Sequence, residues 1–169
     1  MDQQRIDAEI DAARELLATV TSGHLSYVAA DGTPRVVPVG VWWTGTEIVV
    51  ATGEHAPKVA ALRAAPAVAL ALEGVGADGV PAQARALSLR GLAEVTVVDG
   101  VEPEYLEAAR RSMPPEAAAA FEAECRATYP RMARIAVRPT WARYFDFGTG
   151  RVPKFLGDLL ARRAAAERS

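Results

Sequence analysis

The chain has 169 residues, with 19 basic against 21 acidic side chains and a net charge of −2; this length suits one domain with a sizeable core, and the balance excludes the strong basic face of an electrostatic nucleic-acid binder. A single cysteine, Cys125, excludes an internal disulfide, and the polar opening Met1-Asp2-Gln3-Gln4-Arg5 is not the apolar run of a secretory signal. No apolar stretch approaches the ~20 residues of a membrane span, so a soluble cytoplasmic protein with a small-molecule partner is expected.

Residues 4–20 place Ile6, Ile10, Ala13, Leu16, Leu17 and Val20 at spacings of three and four, which predicts an amphipathic helix packed on a sheet. Residues 23–29 alternate and end at Asp31-Gly32, a dipeptide suited to a hairpin turn. Strands are predicted over 35–43 and 46–52, a helix over 56–65, a strand over 67–73 and a turn-rich loop over 74–81. The run 84–98 is a strand or a bent pair. Two helices over 103–111 and 114–128 follow from a proline at each start and a supply of Ala and Glu; they form a helical flap over about 102–128. Residues 132–137 and 141–147 alternate as two closing strands separated by Arg138-Pro139-Thr140, and a last helix covers about 153–166.

Six or seven mostly antiparallel strands with short turns and peripheral helices predict a mainly β (α+β) single domain over 1–169. Closure into a barrel removes exposed sheet edges.

The chemistry concentrates in one region. Arg35-Val36-Val37-Pro38-Val39-Gly40-Val41-Trp42-Trp43 runs through Thr44-Gly45 into Glu47-Ile48-Val49-Val50-Ala51-Thr52, and then into Lys58-Val59-Ala60-Ala61-Leu62-Arg63. A hairpin ending in a hydroxyl residue, followed by a helix with a lysine in its first turn, aims backbone N–H groups, a helix dipole and an ammonium at one spot. Such a spot suits a phosphate. Together with Pro66-Ala67-Val68-Ala69-Leu70-Ala71-Leu72 and Leu87-Ser88-Leu89-Arg90-Gly91-Leu92-Ala93-Glu94-Val95, this order of motifs resembles the pyridoxamine-5′-phosphate-oxidase-like superfamily of flavin-binding split barrels, over roughly residues 15 to 147.

The resemblance implies a split β-barrel homodimer with FMN, or alternatively the deazaflavin coenzyme F-420, at the subunit interface. It places Lys58 and Thr52 on the cofactor phosphate and Pro38, Val39 and Val41 against the ring. Gly40 departs from the bulky residue many relatives carry and either opens room over the ring or bends the barrel wall. Trp42 and Trp43 point to opposite faces of a strand, one to the core and the other outward. Many flavin-binding relatives read Ser-Arg-Lys where this chain reads Ala56-Pro57-Lys58, so a hydroxyl and a guanidinium are missing. Glu54 would repel a phosphate unless turned away, and His55 could replace part of the lost donor set. A deazaflavin's long anionic tail would want a basic groove, for which Arg63, Arg85 and Arg90 are the candidates. The Arg- and His-bearing end signature of true pyridoxamine-phosphate oxidases is missing from 143–147 and beyond, which argues against vitamin B6 oxidation.

Other chemistries find less support. His24, His55 and Cys125 show no metal-ligand spacing, so no metal site is expected, and no phosphate-loop, dinucleotide or serine-hydrolase motif occurs. No side chain stands out as acid or base; Tyr27, Tyr144 and His24 are the available proton donors, each equally explained as a strand residue. The expected function is a flavin-dependent oxidoreductase passing a hydride or electrons between a nicotinamide and an organic acceptor. The rivals are a deazaflavin-dependent reductase, a non-catalytic flavin or haem carrier or sensor, and a barrel that has lost its cofactor.

Overall fold

The computed structural model describes residues 1–74 and 84–167; most of the turn-rich loop expected over 74–81 lies outside them. The chain opens with α1 (Gln3–Ala12), capped by the Asp2 carboxylate accepting from the Arg5 amide at 2.9 Å. The single helix expected over 4–20 is two, because α2 (Arg14–Thr19) starts after a break at Ala13. There the amide is shared between the carbonyls of Glu9 and Ile10, both at 3.1 Å, the tightened turn common at helix ends. The apolar stripe survives the break: Ile6, Leu16 and Leu17 all reach the core.

β1 (Ser22–Val28) and β2 (Pro34–Gly40) form an antiparallel hairpin. Its turn needs the left-handed backbone that Gly32 supplies at φ 78°. The single strand expected over 35–43 breaks at Val41, whose side chain plunges into the core and whose amide donates to the Thr21 carbonyl at 2.9 Å. Beyond it β3 (Trp42–Trp43) pairs with β4 (Ile48–Gly53), and α3 (Pro57–Ala64) leads to β5 (Ala67–Gly74). The rest comprises β6 (Arg85–Asp99), α4 (Pro103–Ser112), α5 (Pro115–Thr128), β7 (Arg131–Asp146) and α6 (Lys154–Ala166).

All seven strands join one antiparallel sheet in the order β2-β1-β5-β6-β7-β4-β3. Because β2 runs directly into β3, the two ends of that order are tied together at Val41 and the sheet curls on itself as a split barrel. The two closing strands expected over 132–137 and 141–147 are one, β7. A register shift between Arg90 and Gly91 sets Gly91 opposite Pro139 and leaves Thr140 bulged, its hydroxyl donating to the Arg90 carbonyl at 3.2 Å. A bulge accepts a proline, which has no ladder amide to give.

Inside the barrel Leu25, Ile48, Leu70, Leu89, Ile135 and their neighbours form the main core. A second core of Val101, Leu106, Cys125 and Met132 lies on the outer face, under the α4–α5 hairpin. The helical flap is therefore packed down by apolar burial. No helix among the described residues is long and apolar enough to cross a membrane.

Candidate functional site

The alternation of β4 sorts its residues: Ile48 and Val50 enter the main core, and Ala51 packs with the outer one. Thr52 therefore faces inward at the strand's end, opposite Ala133, while Ala51 stands opposite Arg134. After Gly53 a short turn, closed by the Ala56 amide on the Gly53 carbonyl at 3.0 Å, delivers the chain to α3 with Pro57 in its first turn. Ala56 offers that helix no side-chain cap.

The turn brings the Lys58 ammonium to 3.3 Å from the Thr52 hydroxyl, to which it donates. Lys58 is half-buried, and that burial lowers its pKa from the ordinary 10.5. Among the described residues no carboxylate pairs with it. A desolvated cation beside a hydroxyl at an uncapped helix start has the chemistry that suits an anion.

Glu54 is turned away from this spot: Arg131 grips it with contacts of 2.8 and 3.2 Å. His55 sits with Glu54, 3.5 Å from its carboxylate, on a side chain 91% exposed, and so is aimed at neither Lys58 nor Thr52. Continuing the β3–β4 register (Trp42 opposite Val49, Trp43 opposite Ile48) back along the chain sets Val39 level with Thr52 and Pro38 level with Gly53. β2 lies near β4. Pro38 is exposed and Val39 half-buried, whereas Val41 is 1% exposed within the core, leaving its side chain out of any ligand's reach. Gly40 borders a cavity of about 180 Å³ walled by Thr21, Tyr105, Ala109, Met113 and Phe121, so its missing side chain does open room. Trp43 is the tryptophan packed on the core, and Trp42 lies under the Arg111 guanidinium, 4.0 Å from its ring centre.

The arginines expected to form a basic groove are not gathered together in the chain. Arg90 stacks on Trp141 at 4.3 Å, opposite Ala69. Thr52 is level with Val97 through Ala133, seven residues further along β6, or about 23 Å of extended strand. Arg85 is engaged by Glu15 at 2.9 Å and Asp146 at 3.4 Å, and Arg63 ends α3 in solvent. Of the possible proton donors, Tyr144 is buried with its hydroxyl on Asp146 at 3.3 Å, and burial raises its pKa. Among the described residues no cluster of His, Cys, Asp or Glu could hold a metal ion.

Sequence reasoning missed one charged centre. On the outer face, Arg134 meets Glu47 at 2.8 Å, Glu104 at 3.1 Å and Glu102 at 3.7 Å. Glu102 is 3% exposed, and its Oε2 has no hydrogen-bond partner. Burial above all, then the hydrogen bond and the charge of Glu104, push its pKa up to about 7. The same hydrogen bond holds Glu104 below the usual carboxylate range. In sequence, Glu102-Pro103-Glu104 looks only like acid placed favourably at a helix start, and nothing pairs it with an arginine some 30 positions on.

Residues 10–146 match the family model described as pyridoxamine 5′-phosphate oxidase. No curated protein matches the chain. Among solved structures it is similar to an F-420 reductase, at 29% identity over 76% of this chain and 94% of that one, with a TM-score of 0.56. A haem-binding protein from Mycobacterium smegmatis shares 23% identity over 82% of this chain and 54% of that one, with a TM-score of 0.56. General stress protein 26 from Bacillus anthracis shares 16% over 79% and 91%, with a TM-score of 0.55. The last two likenesses speak for the fold alone. With the matched model covering most of the chain and the sheet closing as a split barrel, the protein belongs to the pyridoxamine 5′-phosphate oxidase-like family.

Proposed function

We propose that this chain is an oxidoreductase that binds a flavin, FMN or the deazaflavin F-420, with the cofactor phosphate at Lys58 and Thr52. The observation that carries the reading is the half-buried Lys58 ammonium, which has a hydroxyl beside it and, among the described residues, no carboxylate to neutralise it. A phosphate oxygen would complete that cradle by a charge-assisted hydrogen bond, with the uncapped start of α3 adding its dipole. The ring would lie along the 38–41 segment, where Pro38 and Val39 present apolar surface and backbone and Gly40 leaves space. In this position Val41 supports the segment from inside the core and takes no part in contact. Arg90, which stands far along β6 from Thr52, would reach the cofactor only across the interface of a homodimer, whereas His55, exposed and three residues before Lys58, would reach it by turning from Glu54.

When bound, the flavin supplies the hydride or electron transfer; the protein's share is to anchor, orient and shield it from water. The likeness to an F-420 reductase favours the deazaflavin as the second choice of cofactor. The test is a fluorescence titration of the purified protein with FMN and with F-420, repeated on Lys58→Ala. Binding of one cofactor, weakened roughly 10- to 100-fold by the substitution, supports the reading, since a hydrogen bond to a charged group contributes about 1.5–3 kcal/mol. Binding of neither would sink it and leave haem or a cofactor-free role.

A further inference from the structure

The last helix and the first share a complementarity that one chain leaves unused. α6 is 13 residues long and buries none of them. Phe155, Leu159 and Leu160 are 74%, 59% and 51% exposed. At 100° per residue Phe155, Leu159 and Arg162 fall on one stripe, with Arg163 beside it; Arg163 also meets Glu167 at 2.9 Å, a pair on an exposed surface that a second partner can displace. A helix of this length is marginal without tertiary packing, so the stripe needs a surface to cover.

Such a surface lies along α1. Two adjoining cavities of about 440 and 360 Å³ run between α1 and the β3–β4 turn, floored by Ile6, Ile10, Leu17 and Trp43. Asp7 and Asp11, one helical turn apart, line the α1 edge. Their own partners are weak: Gln3 donates to Asp7 at 2.7 Å, and Arg14 stands 3.6 Å from Asp11 on an exposed surface. Arg138 borders the groove too, and an acidic edge still runs the length of the apolar floor. The chain's own α6 does not occupy it: β7 passes the groove at Arg138 and carries the chain eight residues on to Asp146, about 26 Å of strand, before α6 begins.

We infer that α6 of a second copy of this chain seats in the α1–Trp43 groove, its Phe155–Leu159 stripe on the apolar floor and its Arg162–Arg163 pair against Asp7 and Asp11. The contact is isologous: each copy gives one helix and receives one, so the pair closes as a two-fold dimer. This rests on the homodimer half of the proposed function and names the surfaces that make it.

Sedimentation velocity on the full chain tests it, with the wild type beside three variants: Phe155→Ser with Leu159→Ser, Asp7→Arg with Asp11→Arg, and Arg162→Asp with Arg163→Asp. The wild type is expected to be a dimer, and each double variant to raise its dissociation constant at least tenfold. Combining the two charge reversals should restore most of the affinity, which misfolding could not do. A wild-type dimer that none of the variants weakens would overturn this contact while leaving the homodimer intact. A wild type that stays monomeric would remove the homodimer as well, and the Lys58 titration would still judge the cofactor independently. Wild-type protein that cosediments with anionic vesicles through Phe155, with an unchanged self-association, would assign α6 to a lipid surface and also overturn the contact.

Discussion

Replacing Glu102 by glutamine should stabilise the protein above neutral pH and change its stability far less at pH 5. The native carboxyl is buried beside Glu104 and has an orphaned oxygen. Its pKa stands at about 7 against an ordinary 4.5. A folded-state pKa raised in this way means that the folded protein holds a proton the unfolded chain releases. The stability this contributes is fully present below the unfolded pKa and is lost as pH rises through about 7. Each unit corresponds to about 1.36 kcal/mol, so the full shift would be worth about 3 kcal/mol. Coupling of Glu102 to Glu104 lowers the usable part to about 1–3 kcal/mol.

Glutamine keeps the shape and the donor toward Glu104 without the charge. Urea unfolding at pH 5, 6, 7 and 8 and fixed ionic strength would measure it. Glu104 contributes in the opposite sense, since its carboxyl is held low and its stabilisation is lost only as pH falls below the ordinary carboxylate range, so the pH 5–8 window isolates Glu102. The wild type should lose stability relative to Glu102→Gln across that window. Equal pH slopes, or a variant less stable than the wild type at pH 8, would refute the assignment of a raised pKa to this carboxyl.

Arg134→Met removes the cation that Glu47, Glu102 and Glu104 share; it should destabilise by about 3–5 kcal/mol at pH 8 and by less at pH 5, where Glu102 is protonated, as measured by the same unfolding series. Gly91→Ala sets a Cβ against the Arg138 carbonyl oxygen and 2.7 Å from a Val137 methyl; it should lower stability by roughly 1–3 kcal/mol, read as a drop of several degrees in Tm. Fluorescence titration at pH 8 should find FMN bound about twofold more tightly by Glu102→Gln than by the wild type, an effect on the order of 0.5 kcal/mol through the sheet, and bound equally at pH 5.5.

The fold was largely legible because its signals are local. Alternation marked the strands, proline marked the starts of α4 and α5, and Asp31-Gly32 marked a turn. The places where the reading failed each turn on something non-local. Whether Arg138-Pro139-Thr140 ends a strand depends on the bulge opposite Gly91, which is a property of the partner strand. Whether 35–43 is one strand depends on Val41 being drawn into the core as the chain passes from one edge of the sheet to the other. At the candidate site, Lys58 and Thr52 were readable because six residues of chain bring them together. That Glu54 is held by Arg131, across 77 residues, was not. The Arg134 centre was invisible for the same reason: its members come from the β3–β4 turn, the start of α4 and β7, and each alone passes for an ordinary surface charge.

The β4–β7 ladder gives these two centres a common frame. Thr52 and Ala133 face inward, at the end where Lys58 stands; Ala51 and Arg134, their immediate neighbours in the same ladder, face outward under α4. This ladder thus separates the Lys58 cation, which among the described residues has no carboxylate partner, from three carboxylates gathered on Arg134. Were both Glu102 and Glu104 ionised, the excess negative charge would sit about one sheet's thickness, on the order of 10 Å, from the proposed anion site and would oppose it. Keeping Glu102 protonated up to about neutral pH limits that opposition, and the closely packed α4 that excludes water from Glu102 also walls the cavity beside Gly40. The packing of the α4–α5 hairpin is in this way coupled to the electrostatics of the cradle, although no residue of the hairpin touches Lys58 in the hydrogen-bond network.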